Sequence, residues 1–176
     1  MLRPRLVLLI SIILLAALSR LIPHPPNMAS VTAVALFGGA YFSDRRLAFL
    51  IPLAALFLSD LVLGFYNHME VVYSSFALIV CIGFWLQKNR STLHIAGAAL
   101  TSSVLFFLLT NFGVWVSGGP YPQTLTGLGA CYAAAIPFFQ NTIAGDLVYT
   151  ALLFGGFAIV EKKFPALRGS TAARAA

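Results

Sequence analysis

Two aspartates stand in runs of sequence that are otherwise almost wholly apolar: Asp60 in "LFLSDLVLGF" and Asp146 in "NTIAGDLVYT". A carboxylate in such a setting can bind a cation, accept hydrogen bonds from a ligand, or exchange a proton. Holding one near the centre of a bilayer-spanning helix costs about 2.5–3.5 kcal/mol on the lenient insertion scales. Something must offset that cost, and a partner can be sought among the other polar residues. Arg20 in "SRLIPHPPN" is the first candidate. His24 and Asn27 follow in the same Pro-rich segment, whose prolines favour an extended, PPII-like path. Asn111 and Trp115 lie one helical turn apart, and Thr142, Asp146 and Thr150 share a face by their four-residue spacing. Tyr121 and Asn141 belong to the segment between these two groups. Tyr73, Ala77 and Cys81 have the same spacing, so Cys81 could floor a pocket lined by the others, or be a small buried hydrophobe.

The elements that must position these groups follow from composition. The chain has 176 residues, 60% of them hydrophobic and only 9% charged; its mean hydropathy is +0.91. Soluble domains carry about 25% charged residues, so a chain this poor in charge is expected to be an all-α integral membrane protein, helices being the default for spanning backbone. Six apolar runs are read as transmembrane helices over residues 5–22, 28–43, 47–65, 71–87, 94–116 and 142–161, forming one domain over 1–167. The second run is short. The stretch 117–141 is too polar and too rich in Gly and Pro for a simple span, and reads as a hairpin arm or surface-lying helix broken at Pro137. Residues 168–176, "RGSTAARAA", are expected to form a disordered tail.

Basic residues set the expected orientation. With the N-terminus inside, Arg3, Arg5, Arg45, Arg46, Lys88, Arg90, Lys162, Lys163, Arg168 and Arg174 fall on the inner side and only Arg20 on the outer. The positive-inside rule then puts both termini in the cytoplasm. The opening "MLRPRLVLLISIILLAALS" also fits a signal peptide with a cleavage site at Ala17-Leu18-Ser19; the reading kept is an uncleaved helix, and cleavage would leave the other five oriented alike. On this topology Asp60 lies about 7 Å below the outer helix end at Phe65. Asp146 and Asn111 lie at similar depth. The expected site is an outward-facing polar pocket, lidded by the first loop, with Arg20, His24, Asn27, Asp60, Tyr73, Asn111, Trp115, Tyr121, Asn141 and Asp146 as candidate ligand-binding residues.

Other classes are poorly served. The net charge of +6 comes from scattered ones and twos rather than a basic stripe interleaved with aromatics, which argues against nucleic acid. No Walker A loop, HExxH, CxxC or GxSxG occurs. His24, His68 and His94 are scattered, so a three-histidine metal site is not expected, and no cofactor is assigned.

The runs "RLIPHPPNMASVTAVALFGGAYF", "PLAALFLSDLVLGF" and "TNFGVWVSGGPYPQTLTGLGACYAAAIPFFQNTIAGDLVYTALLFG" resemble a family of uncharacterised bacterial membrane proteins described as transporters. That family is similar in size and helix number to the S-components of energy-coupling factor (ECF) vitamin transporters and to a solitary cobalamin-uptake relative. The resemblance implies an S-component-like bundle in the bacterial inner membrane and uptake of a vitamin or cofactor precursor, a cobalamin-type compound first. It implies as partners the small-molecule ligand, membrane lipids, and a transmembrane coupling subunit with ATPases. It also implies Cys81 as a cobalt ligand. S-components often carry small residues at four-residue spacing on the first helix for docking. Here that spacing falls on the second, at Ala29 and Ala33 and at Ala35 and Gly39. The alternatives are an intramembrane enzyme using Asp60, Asp146 and His24 as acid and base on a lipid-linked or corrinoid substrate, and an assembly subunit without a ligand.

Overall fold

The shortest apolar run becomes the axis of the structure. Val31–Tyr41 forms helix α2, and all but its first residue are buried. The computed structural model describes residues 4–167; the expected disordered tail at 168–176, with Arg168 and Arg174, and Arg3 lie outside them. Around α2 stand α1 (Pro4–Leu18, continued by a 3-10 turn Ser19–Leu21), α3 (Arg45–Leu63), α4 (Met69–Leu86), α5 (Thr92–Val116) and α6 (Leu125–Thr150). A π-helical turn, Ala151–Gly155, carries α6 without interruption into α7 (Gly156–Lys163), and a 3-10 turn, Pro165–Leu167, follows. Among the described residues there is no strand, so the fold is all-α.

Five of these helices, Pro4–Leu21, Arg45–Leu63, Met69–Leu86, Thr92–Val116 and Leu125–Lys163, are long and apolar enough to cross a membrane. The 11 residues of α2 rise only about 16 Å, against about 30 Å of bilayer hydrocarbon. Many large apolar side chains on the outside of the bundle, such as Leu15, Val62 and Leu152, are exposed, as a lipid-facing surface requires. The helices alternate in direction, so Pro4 and Lys163 share one end, here the base, with Arg45, Lys88 and Arg90. Arg20 stands at the opposite, far end.

Glycines let α2 meet α4 backbone to backbone. A Cβ on Gly83 would lie 2.8 Å from Gly39 Cα, and one on Gly39 would lie 2.9 Å from Gly83 Cα. Small residues are how apolar helices gain close contact where the hydrophobic effect offers little. The carbonyls at the C-terminus of α2, which no further turn can satisfy, are met from α4: Gln87 Nε2 donates to Gly39 O at 2.8 Å and to Phe42 O at 2.9 Å. Phe37 and Tyr41 then interleave with Phe154 and Phe157 at centroid separations of 4.6–5.7 Å. Arg5 stacks over Phe157 and pairs with Glu161, tying α1 to α7.

Three expectations change. Residues 125–141 are neither hairpin nor surface-lying helix; they are the first half of α6, entered at Thr124, whose hydroxyl caps the helix by accepting from Gly127 N at 3.1 Å. Pro137 sits inside that helix; its missing N–H removes one internal bond without ending the rod. The small residues Ala33, Ala35 and Gly39 are buried in the bundle centre, so their spacing serves internal packing and offers nothing to a docking partner. Cys81 is exposed on the outside of α4 and does not floor a pocket, which removes it as a cobalt ligand within one.

Candidate functional site

Asp60 is fully buried near the end of α3, and its cost is offset by Arg20. The 3-10 turn after α1 carries the arginine across to α3, where Nη1 stands 2.8 Å from Asp60 Oδ1. That approach is an ion pair without an aligned N–H···O bond, since Oδ1 has no hydrogen-bond partner among the described residues. The same Nη1 donates to Ser59 Oγ, and the Ser59 hydroxyl donates to Leu56 O at 2.7 Å. Tyr73 on α4 donates to Asp60 Oδ2 at 2.9 Å. Three segments, the 3-10 turn, α3 and α4, thus meet at one carboxylate. Tyr66, in the loop between α3 and α4, completes the surround: burial, and next the negative charge of Asp60, push its phenol up to about 12, with Arg20 opposing.

Asp146 on α6 is 1% exposed and is held differently. Ser103 on α5 donates to its Oδ2 at 2.6 Å, and Thr32 of α2 lines the same cavity wall. No salt bridge reaches it among the described residues.

Between these two centres lies a cavity of about 300 Å³. Arg20, Asn27, Thr32, Tyr66, Thr110, Thr142 and Asp146 supply its polar wall, and Leu56, Val72 and Phe106 much of its apolar one. An adjoining space of about 140 Å³ shares Asn27, Phe106, Thr110 and Thr142 and extends toward Asn111. The first loop closes over both. Asn27 takes a left-handed conformation (φ 62°), which asparagine tolerates well. Asn141 Nδ2 donates to Pro26 O at 3.0 Å, latching the loop to α6, and a Cβ on Gly145 would lie 3.1 Å from Met28. A larger concavity, about 530 Å³, runs along α5 beside Leu100, Val104 and Leu108. Thr101 is its one polar lining residue, so it is a feature of the apolar exterior and holds no chemistry.

Of the residues singled out from sequence, Arg20, Asn27 and Asp146 line the main cavity, Asp60 pairs with Arg20, and Tyr73 donates to Asp60. Asn111 lines the adjoining space, but its amide is engaged with Phe107 O at 2.8 Å. Asn141 acts on the loop. His24 is exposed, its Nδ1 3.0 Å from Pro25 O, and lines neither space. Trp115 donates to Pro122 O at 2.9 Å and, like Tyr121, stands outside both linings. Thr32, Tyr66, Ser103, Phe106 and Thr110 are additions. Ser103, Phe106 and Thr110 recur at i, i+3 and i+7, a spacing that marks one helix face and could have flagged the stripe of α5 that meets Asp146. Among the described residues no group of three or more His, Cys, Asp and Glu side chains is placed to hold a metal ion.

No curated protein and no solved structure matches the chain. Residues 1–167 match DUF6580, a family of unknown function, and with nearly its whole length covered the chain belongs to that family.

Proposed function

We propose that the protein is a substrate-binding membrane transport protein that captures a small nutrient in the cavity between Arg20 and Asp146. The observation that carries this reading is the cavity itself: a concave space at the far end of an apolar bundle, with convergent polar groups from α2, α5 and α6, the first loop latched above it, and one buried carboxylate facing it. Pockets for small molecules combine apolar walls with a few placed polar groups in this way. Arg5, Arg45, Arg46, Lys88, Arg90, Lys162 and Lys163 belong to the base, so the positive-inside rule supports a bacterial inner-membrane orientation with the base cytoplasmic and the cavity outward. The six-rod bundle and the lidding first loop are compatible with the S-component resemblance, and ATP-driven partners would then supply energy that this chain has no phosphate-binding loop to harvest.

At about 300 Å³ the cavity is at the lower limit for small-molecule pockets. That favours a compact vitamin or precursor over an entire corrinoid. The intramembrane-enzyme reading draws less support, because Asp60 is occupied by Arg20 and Tyr73 while His24 lies off the cavity. The test is mass spectrometry of small molecules that copurify with the protein, followed by uptake of the identified compound into proteoliposomes with and without an ATP-driven partner module. Capture without chemical change, and accumulation only with the energised partner, is the expected result. Conversion to a new product by the lone protein would overturn the transport reading.

A further inference from the structure

The two carboxylates of the site differ in one respect that bears on what can bind between them. Asp60 has its counter-charge, the Arg20 guanidinium at 2.8 Å, so that pair adds no net charge to the cavity. Asp146, equally buried, has the Ser103 hydroxyl as its side-chain hydrogen-bond partner and no cation paired with it among the described residues. Hydroxyl donors replace lost water but supply no counter-charge, so a buried carboxylate held in this way either keeps its proton or takes a cationic partner. His24 and His68 are the other basic groups near this end. His24 is exposed against Pro25, His68 lies beside Glu70 on the far rim, and neither is in the cavity lining. The basic residues of the base are on the opposite side of the bundle. Asp146 nonetheless lines the cavity, with the aromatic Phe106 in the same lining.

We infer that the cavity selects a compact ligand bearing a single positive charge, an ammonium or protonated ring nitrogen, whose N–H group pairs with Asp146. The inference rests on the cavity being a ligand site, and it adds the chemical class of that ligand. A charge-assisted bond at Asp146 discriminates against neutral analogues, and against anions, which would meet an unpaired carboxylate at close range. Arg20 does not reverse the preference, because Asp60 already holds its charge.

Three probes of one size and shape separate the possibilities: benzylammonium, benzyl alcohol and benzoate. Their saturable binding to the full-length protein in nanodiscs is measured by equilibrium dialysis at neutral pH, with empty nanodiscs subtracted. Benzylammonium is expected to bind about tenfold or more tightly than either of the others, a difference of about 1.4 kcal/mol. The preference should vanish in Asp146→Asn and persist in Glu70→Gln, an exposed acid on the rim. Replacing an uncompensated buried charge by an amide favours folding, and the thermal midpoint of the variant checks that it is intact. Saturable binding without charge preference, a preference for benzoate, or a cation preference that survives Asp146→Asn would overturn the inference and leave the cavity a ligand site. Absence of saturable binding by all three would overturn the ligand site as well. The comparison among probes on the unaltered protein stands whether or not the variant folds.

Discussion

The two ends of α2 are one helix in two environments. Toward the base, Phe37, Gly39 and Tyr41 are packed against aromatic rings and bare backbone, with no room for a methyl group between Gly39 and Gly83. Toward the far end, Val31 and Thr32 line the cavity together with Asp146. Less than two turns separate Thr32 from Phe37. The contrast shows how a small bundle can hold open a polar space: contact is concentrated at one end, where small residues and aromatics fill the volume. At the other, helices are kept apart by charged and hydroxyl groups that demand partners.

The largest break expected is at the strut of the far end. Arg20→Ala leaves Asp60 buried beside Tyr73 alone, and loss of one member of a buried pair costs about 3–5 kcal/mol. Thermal unfolding in detergent should fall accordingly, and Arg20→Met combined with Asp60→Leu should recover much of the loss. An unchanged midpoint in Arg20→Ala would mean that the ion pair is not what spaces α1 from α3.

At the base the expected loss is smaller. Gly83→Ala places a methyl 2.8 Å from Gly39 Cα and closer still to Leu36 O, atoms that cannot swing aside, and overpacking of this kind costs about 1–3 kcal/mol. Gly97→Ala on α5, where nothing lies within 4 Å, is the control and should lose nothing. Equal behaviour of the two variants would remove the close α2–α4 crossing from the comparison.

The smallest effect on stability concerns the loop. Asn141→Ala removes one bond to Pro26, worth about 0.5–1.5 kcal/mol, but should loosen the cover of the cavity. With Cys81 and Cys131 replaced by alanine and Thr142→Cys as reporter, the reporter thiol should react faster with a small polar reagent once Asn141 is removed. An unchanged rate would show that the latch does not govern access.

Much of the far end is legible in the sequence because its signals are categorical. An aspartate in an apolar run needs a partner, Arg20 is the one cation the topology offers it, and Thr142, Asp146 and Thr150 are all buried as their spacing implies. What was harder to read depends on degree. Cys81 is eight residues beyond Tyr73, and each four-residue step overshoots a turn by about 40°, enough to carry it from the α4 interior to the outside. Pro137 is a breaker in water, yet neighbouring helices let α6 continue through it. Ser103 and Thr32 gave no signal as residue types, since hydroxyls are common in apolar helices. Only the helix meeting them, with Asp146 on it, makes them part of a site.

The bond between Arg5 and Glu161 has a consequence for how the protein is made. The two residues are 156 positions apart, and Arg5 also donates to Leu167 O. At about 5–20 residues per second of synthesis, roughly 8–30 s pass between the emergence of the arginine and that of its glutamate. During that interval α1 is already made and can rest against α2 and α3, but the seam that closes the ring of helices does not exist. Closure therefore waits until Glu161 has emerged. A chain cut short before Glu161 would leave the ribosome with its first helix still waiting for its final neighbour.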